Sequence, residues 1–327
     1  MSTETPDFLK IALHLISGVV VFLYGIHRTT ESLKIIAGDS TKRVLHKFTK
    51  NTILGTLTGI STTAVLGSSS ALIILVITSV DAQLLSFAQS LAVVMGANIG
   101  TTLTTQIIAF KLTDFTAVIL LSGFLLILLG KSEKRLHLGT VILGIGLIFF
   151  GLEAMDDSMR PLHHYPPFIE IMKKLDSAWV GVLIGGLITV LIQASSATVA
   201  MAITLASQQM ISMEAGIAIM LGAEIGTCSD TLLATIKRSR QALLTGIFHL
   251  CFNIITVILG LIFFSFLVQA VNAISSDANV AHKIANAHLL FNMLGTLLFL
   301  PFINLIASWL HKLPIHEKEK ALVEVEN

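Results

Sequence analysis

Apolar positions along this chain gather into long continuous runs, and polar positions interrupt them at regular places. Residues 11–26, 115–129, 138–152, 243–271 and 285–310 are the clearest runs. Several approach the ~20 residues that a bilayer core demands. None alternates with period two as a barrel strand would, so helices are the remaining way to satisfy the backbone in lipid. Four more apolar stretches are broken near their middles by small polar residues. Residues 53–80 break at Gly67, Ser68, Ser69 and Ser70, and residues 179–206 at Gln193, Ala194, Ser195 and Ser196. Residues 86–110 and 212–236 each carry a Gly- and Thr-rich middle, at 96–102 and 222–228.

These stretches form a duplication. Gly96-Ala97-Asn98-Ile99-Gly100-Thr101 matches Gly222-Ala223-Glu224-Ile225-Gly226-Thr227 at an offset of 126 residues. Ser69-Ser70-Ala71 matches Ser195-Ser196-Ala197 at the same offset of 126. Gly18, Gly25, Gly55, Gly59, Ile77, Thr78 and Lys111 match Gly144, Gly151, Gly181, Gly185, Ile203, Thr204 and Lys237. Repeat one therefore spans about 11–136 and repeat two about 137–271, with an additional C-terminal span at 284–310. Each repeat reads as a first span, a polar connector (28–51; 155–177), the two interrupted stretches and a plain span.

Paired interruptions at matching places in two halves point to a transport site near the membrane midplane. A helix broken inside a membrane strands backbone N–H and C=O groups, which survive only inside protein or along a hydrated cavity. The exposed N–H groups suit an anion and the exposed carbonyls a cation. Each half of a Ser-rich stretch is too short to span a bilayer, so each stretch is expected to be a re-entrant hairpin. Each repeat then crosses three times, and the second lies upside down relative to the first. On that topology one face holds 15 Lys and Arg and the other 6. The positive-inside rule makes the richer face, with the C-terminus, cytoplasmic. Full crossing by both Ser-rich stretches would make the repeats parallel and split the charges 16 to 5. The expected fold class is an all-α membrane protein of two inverted-topology repeats, each with a re-entrant helical hairpin and a broken transmembrane helix.

Composition agrees with a lipid environment. Apolar residues make up 54% of the chain and charged residues 13%, against about 25% charged in soluble domains. The net charge of +1 and the lack of a dense basic block exclude a nucleic-acid partner. Cys228 and Cys251 lie in or near apolar segments and imply no disulfide framework. Residues 1–7 lack the basic start of a cleaved signal peptide, so residues 11–26 are read as a retained span. The broken segments contain neither Lys nor His, which removes the base an intramembrane serine protease needs. The chain is not expected to be an enzyme.

At these motifs the sequence resembles the sodium-phosphate cotransporter family, which includes the type II cotransporters and bacterial relatives. That family carries a duplicated Gln-Ser-Ser-Ser motif, each copy followed by Gly-x-Asn-Ile-Gly-Thr. Its His-x-x-Phe-Asn pattern stands here at His249–Asn253 and His288–Asn292. The chain departs from the pattern at Gly67 (Gln in the family), Ala194 (Ser) and Glu224 (Asn), and Asp230 adds another carboxylate. The resemblance implies sodium-coupled symport of inorganic phosphate across a bacterial cytoplasmic membrane by alternating access. Sodium ions would be the coupling ions, with no cofactor, and a homodimer is one assembly the reading allows. Ser68, Ser69, Ser70, Ser195 and Ser196 would bind phosphate through hydroxyls and helix N-termini. Gln193, Ser195 and Thr227 would hold sodium, with Asn98, Thr101 and Thr102 as the first-half counterparts. Glu224 and Asp230 are coupling candidates, because an intramembrane carboxylate is a functional candidate by default. His249 and His288 read as packing and interhelical hydrogen-bonding residues. Proton coupling, outward transport, another anion and an anion channel stay open.

Overall fold

The computed structural model describes residues 6–49, 51–110, 112–162 and 165–314. Lys50, Lys111, Lys318 and Lys320, which entered the charge bias or the repeat, lie outside the described residues. Among the described residues the chain is helical, without strands. The first half holds α1 (Phe8–Phe48), α2 (Thr52–Leu66), α3 (Ser69–Asp81), α4 (Phe87–Ala109) and α5 (Thr116–Leu129). The second begins with α6 (Glu133–Met159) and α7 (Pro166–Lys173), followed by α8 (Ala178–Ile192) and α9 (Ser195–Ser207). It continues through α10 (Met213–Gly226), α11 (Cys228–Leu233) and α12 (Arg240–Ile262) to α13 (Phe264–Ile274), α14 (Val280–Phe299) and α15 (Ile303–His311). Seven helical segments among the described residues are long and apolar enough to cross a membrane. Much of this apolar surface points outward: Leu121, Leu128, Trp179, Leu183 and Leu191 are all exposed. Water would penalise such a belt, and lipid does not.

Local sequence starts the helices. Asp7 caps α1 by accepting from Lys10 N at 3.0 Å, and Asn51 caps α2 through Leu54 N at 2.8 Å. Ser86 and Gln89 close a reciprocal capping box on α4.

Helix α1 runs unbroken for 41 residues, so the expected polar connector at 28–51 is a helical continuation of the first span. Along its apolar part α1 packs antiparallel against α6. A Cβ placed on Gly18 would lie 3.0 Å from the Gly151 carbonyl, and one on Gly25 would lie 2.7 Å from the Gly144 carbonyl. These four glycines are the two pairs matched at an offset of 126. Each helix thus presents to the other the same small-residue stripe.

Helices α2 and α4 are parallel neighbours: Gly55 faces Ala92, Gly59 faces Gly96 and Ala97, and Gly100 faces Ile60 and Thr63. The end of α2 therefore lies beyond Gly100, while α4 begins at Phe87, over a dozen residues back. Helix α3, about 20 Å long at 1.5 Å per residue, must return across that distance. The α2–α3 pair is a helical hairpin with its tip at Gly67–Ser68. The same contacts recur 126 residues on, with Gly181 facing Ala218, Gly185 facing Ile219 and Gly226 facing Gly186 and Thr189. There α8 and α9 form the hairpin and α10 the neighbour.

The expected break at residues 96–102 is absent. Helix α4 is continuous from Phe87 to Ala109. Its glycines serve close packing: a Cβ on Gly96 would sit 2.0 Å from the Thr56 carbonyl oxygen. In the second half the corresponding helix yields only at Thr227, whose φ of −65° and ψ of −16° are still right-handed helical. The Thr227 N–H bonds the Ala223 carbonyl at 3.0 Å, so this is a joint rather than an unwound stretch. The expected span at 243–271 also divides, at Phe263, and the last span bends at Leu300-Pro301-Phe302, where proline removes a backbone donor.

The remaining helices cover the hairpins. Phe248 and Phe252 of α12 and Ile303 and Ala307 of α15 close a core around α3 and α4. Leu267 and Val271 of α13 and Ile284, Ala285 and Phe291 of α14 close another around α9 and α10.

Candidate functional site: two helix tips and a buried polar seam

Each hairpin tip is built by a left-handed residue followed by an extended one. Helix α2 ends at Gly67 (φ 66°), whose N–H returns to the Thr63 carbonyl at 2.8 Å. Ser68 is extended and caps α3 by accepting from Ala71 N at 3.2 Å. Helix α8 ends at Gln193 (φ 58°), bonded to the Thr189 carbonyl at 2.7 Å. Ala194 follows, extended, and provides no side-chain cap to α9. The first tip is thus partly self-satisfied, whereas the second has no side-chain acceptor for its first-turn N–H groups among the described residues. Ser69, Ser195 and Ser196 are buried and Ser68 and Ser70 half-buried.

Both tips set a helix C-terminus beside a helix N-terminus. The dipole ends favour a cation at the first and an anion at the second. Gln193 occupies the left-handed region, which costs an L-residue roughly 1–2 kcal/mol. Its side chain is exposed and makes no hydrogen bond among the described residues.

The tips reach across to the opposite halves. Ser70 Oγ lies 3.4 Å from Thr227 Oγ1. The Asp230 carboxyl faces Ser70 and, more distantly, Lys34, and its Oδ1 is buried without a hydrogen-bond partner among the described residues. Helix α9 packs against α4. Among the described residues no hydrogen bond joins the two serine tips to each other.

The first-half sodium candidates make hydrogen bonds within and beside α4. Thr101 donates to the Ala97 carbonyl at 3.2 Å and Thr102 to the Ile99 carbonyl at 2.7 Å, both within α4. Asn98 Nδ2 donates to Asn253 Oδ1 at 2.6 Å, which places it in a seam between α4 and α12.

Glu224 lies in the same seam, not at a tip. Its Oε1 is 2.6 Å from His288 Nε2, with both side chains almost fully buried. His288 Nδ1 lies 3.0 Å from Thr105 Oγ1. His249 makes the matching contact, its Nδ1 2.9 Å from Thr231 Oγ1. Asn253 Nδ2 donates to the Glu224 carbonyl at 2.8 Å. Both histidines thus pack and bond between helices, as their motifs suggested. The direct pairing of His288 with Glu224, and the part of Thr105, escaped sequence reasoning. Two signals were present: the Asn-to-Glu change at 224 and the second His-x-x-Phe-Asn motif.

The Na+/Pi-cotransporter family pattern matches the chain twice, over residues 21–157 and 168–300. This chain belongs to that family. YqeW of Bacillus subtilis (strain 168), named only as an uncharacterized protein, is 32% identical over 296 residues, covering 90% of this chain and 95% of YqeW. "Putative inorganic phosphate export protein YjbB" of Escherichia coli (strain K12) is 27% identical over 308 residues, covering 94% of this chain. The same-named protein of Salmonella typhimurium is 26% identical over 308 residues. The chain spans about half the length of these YjbB proteins, at 50%. No solved structure matches it. Membership makes this a multi-pass membrane protein of a transporter family that handles phosphate.

Proposed function

We propose that the chain is a secondary active transporter that moves inorganic phosphate with sodium across a bacterial cytoplasmic membrane by alternating access. The observation that carries this reading is the pair of matched hairpin tips, each ending one helix and starting another at a serine run. The antiparallel α1–α6 pairing and the recurrence of each hairpin contact support two inverted repeats with re-entrant hairpins, and the Lys and Arg bias of the sequence supports a cytoplasmic C-terminus.

Hydrogen phosphate is a dianion rich in acceptors. Hydroxyls of Ser68, Ser69, Ser70, Ser195 and Ser196 and the N–H groups opening α3 and α9 suit it. Each bond to a charged group contributes about 1.5–3 kcal/mol, so several bind it without the dense Arg cluster that would hinder release. Sodium at Gln193, Ser195, Thr227 and the last carbonyls of α8 reduces repulsion for the dianion. Movement of one repeat against the other then carries both ions across. Direction follows the gradients, and the names of the YjbB relatives favour phosphate export as a second reading.

Radiolabelled phosphate flux in proteoliposomes, under a sodium gradient, a matched proton gradient or none, tests the reading. Sodium-dependent flux lost in Ser69→Ala/Ser196→Ala is expected. Folded protein without phosphate flux under any gradient would overturn the substrate.

A further inference from the structure

The two halves differ in charge at one matched pair of seam positions. Asn98 and Glu224 stand 126 residues apart in the duplication. Asn98 meets an amide, Asn253, whereas Glu224 meets an imidazole, His288, at 2.6 Å. The Glu224 and His288 side chains are 4% and 0% exposed, so no bulk water reaches the contact.

The ring state of His288 follows from its neighbours. The Thr102 carbonyl can only accept, so Thr105 spends its one hydroxyl hydrogen there, at 2.8 Å. The Thr105 oxygen must then accept from His288 Nδ1 at 3.0 Å, and Nδ1 carries a hydrogen. At 2.6 Å, the gap between Nε2 and Oε1 holds one further proton. It sits either on the carboxyl, facing the imidazole lone pair, or on the ring, facing a carboxylate. Both forms are neutral as a pair. Without that proton two acceptors, a carboxylate oxygen and a ring lone pair, would face each other at hydrogen-bond distance with no hydrogen between them.

His249 provides an internal comparison. Thr231, the match of Thr105, donates to the Cys228 carbonyl at 3.0 Å and receives His249 Nδ1 at 2.9 Å. The other His249 nitrogen lies 3.2 Å from Asn253 Nδ2, an amide donor that requires no extra proton. The same threonine device thus sets both rings, and only the ring facing Glu224 needs a shared proton.

We propose that Glu224 and His288 form a proton-binding site, loaded in this conformation, which exchanges one proton per transport cycle. The proposal rests on the transport reading above. When α10 and α14 separate, the shared proton passes to water on one side, leaving a hydrated carboxylate and a neutral imidazole. A proton from water on the other side restores the pair before the helices rejoin. Among the described residues, the other ionisable groups near the seam are Cys228 and Asp230 on α11 and His249 and Cys251 on α12. Asp230 is turned to Ser70, and Lys283, at the start of α14, bonds Asn272 at 2.9 Å. Helices α4, α8 and α9 contribute no ionisable side chain.

The test is steady-state phosphate accumulation in proteoliposomes at equal sodium on both sides, with and without a pH difference. One proton per phosphate predicts about a tenfold shift in the accumulation ratio per pH unit, since one unit corresponds to a factor of ten in proton activity. Phosphate's own protonation also responds to pH, and Glu224→Gln and His288→Gln report that background. Both variants should lose the additional shift, and an undiminished shift in either would overturn the proposal. Infrared titration of the purified protein supplies a readout that needs no transport. A protonation band present in the wild type and missing in Glu224→Gln is expected, and its absence from the wild type would overturn the proton site. The band without any phosphate flux would leave the proton site standing and remove the phosphate reading.

Discussion

Replacing Gln193 with glycine should raise stability while damaging sodium coupling. Gln193 ends α8 at φ 58° and ψ 29°. An L side chain there costs roughly 1–2 kcal/mol, and glycine removes that cost while adding about 0.4–1 kcal/mol of unfolded-chain freedom. The side chain is exposed and makes no hydrogen bond among the described residues, so truncation strands no buried partner. The net expectation is a gain of about 0.5–1 kcal/mol, read as a rise of ~1–3 °C in a thermal-shift assay. The first tip already adopts this solution, with Gly67 at φ 66°. If the Gln193 amide is a sodium ligand, its loss should raise the sodium concentration for half-maximal flux about tenfold, equivalent to ~1.4 kcal/mol. A lower melting temperature would refute the strain argument and make the side chain a structural brace. Unchanged sodium activation would remove Gln193 from the ion site.

The second tip lacks a side-chain cap at Ala194, so Ala194→Ser should add about 1 kcal/mol of stability. It should also change the KM for phosphate, because Ser68 holds the matching position in the first tip and the new hydroxyl would stand beside the same N–H groups; an unchanged KM in flux assays would contradict an anion site there. Gly222→Ala should cost about 3 kcal/mol or more through overpacking, since its Cβ would lie 2.0 Å from the Val182 carbonyl oxygen. Gly186→Ala, with its nearest atom at 3.4 Å, should be tolerated, and equal folded yields of the two variants would refute the close-packing account.

The helical class, the duplication and its offset were all legible in the sequence. Length and apolarity decide what a bilayer admits, and a repeated register survives as repeated residues. The hairpin tips were legible as well, because Gly67 and the serine runs break helices for local reasons of backbone freedom and capping. The middle of α4 misled. Gly96 and Gly100 look like breakers in one dimension, yet in the fold they admit the backbone of α2, and glycine's small size matters there rather than its freedom. Sequence likewise offered Asn98, Thr101, Thr102 and Glu224 as site residues alongside the tips. The structure turns Thr101 and Thr102 onto their own helix and sends Asn98 and Glu224 into a seam with α12 and α14. Helix periodicity says which positions share a face, but not which neighbour that face meets. The contact of Glu224 with His288, 64 residues away along the chain, therefore belonged to the tertiary structure alone, since only packing brings two distant side chains within a proton's reach.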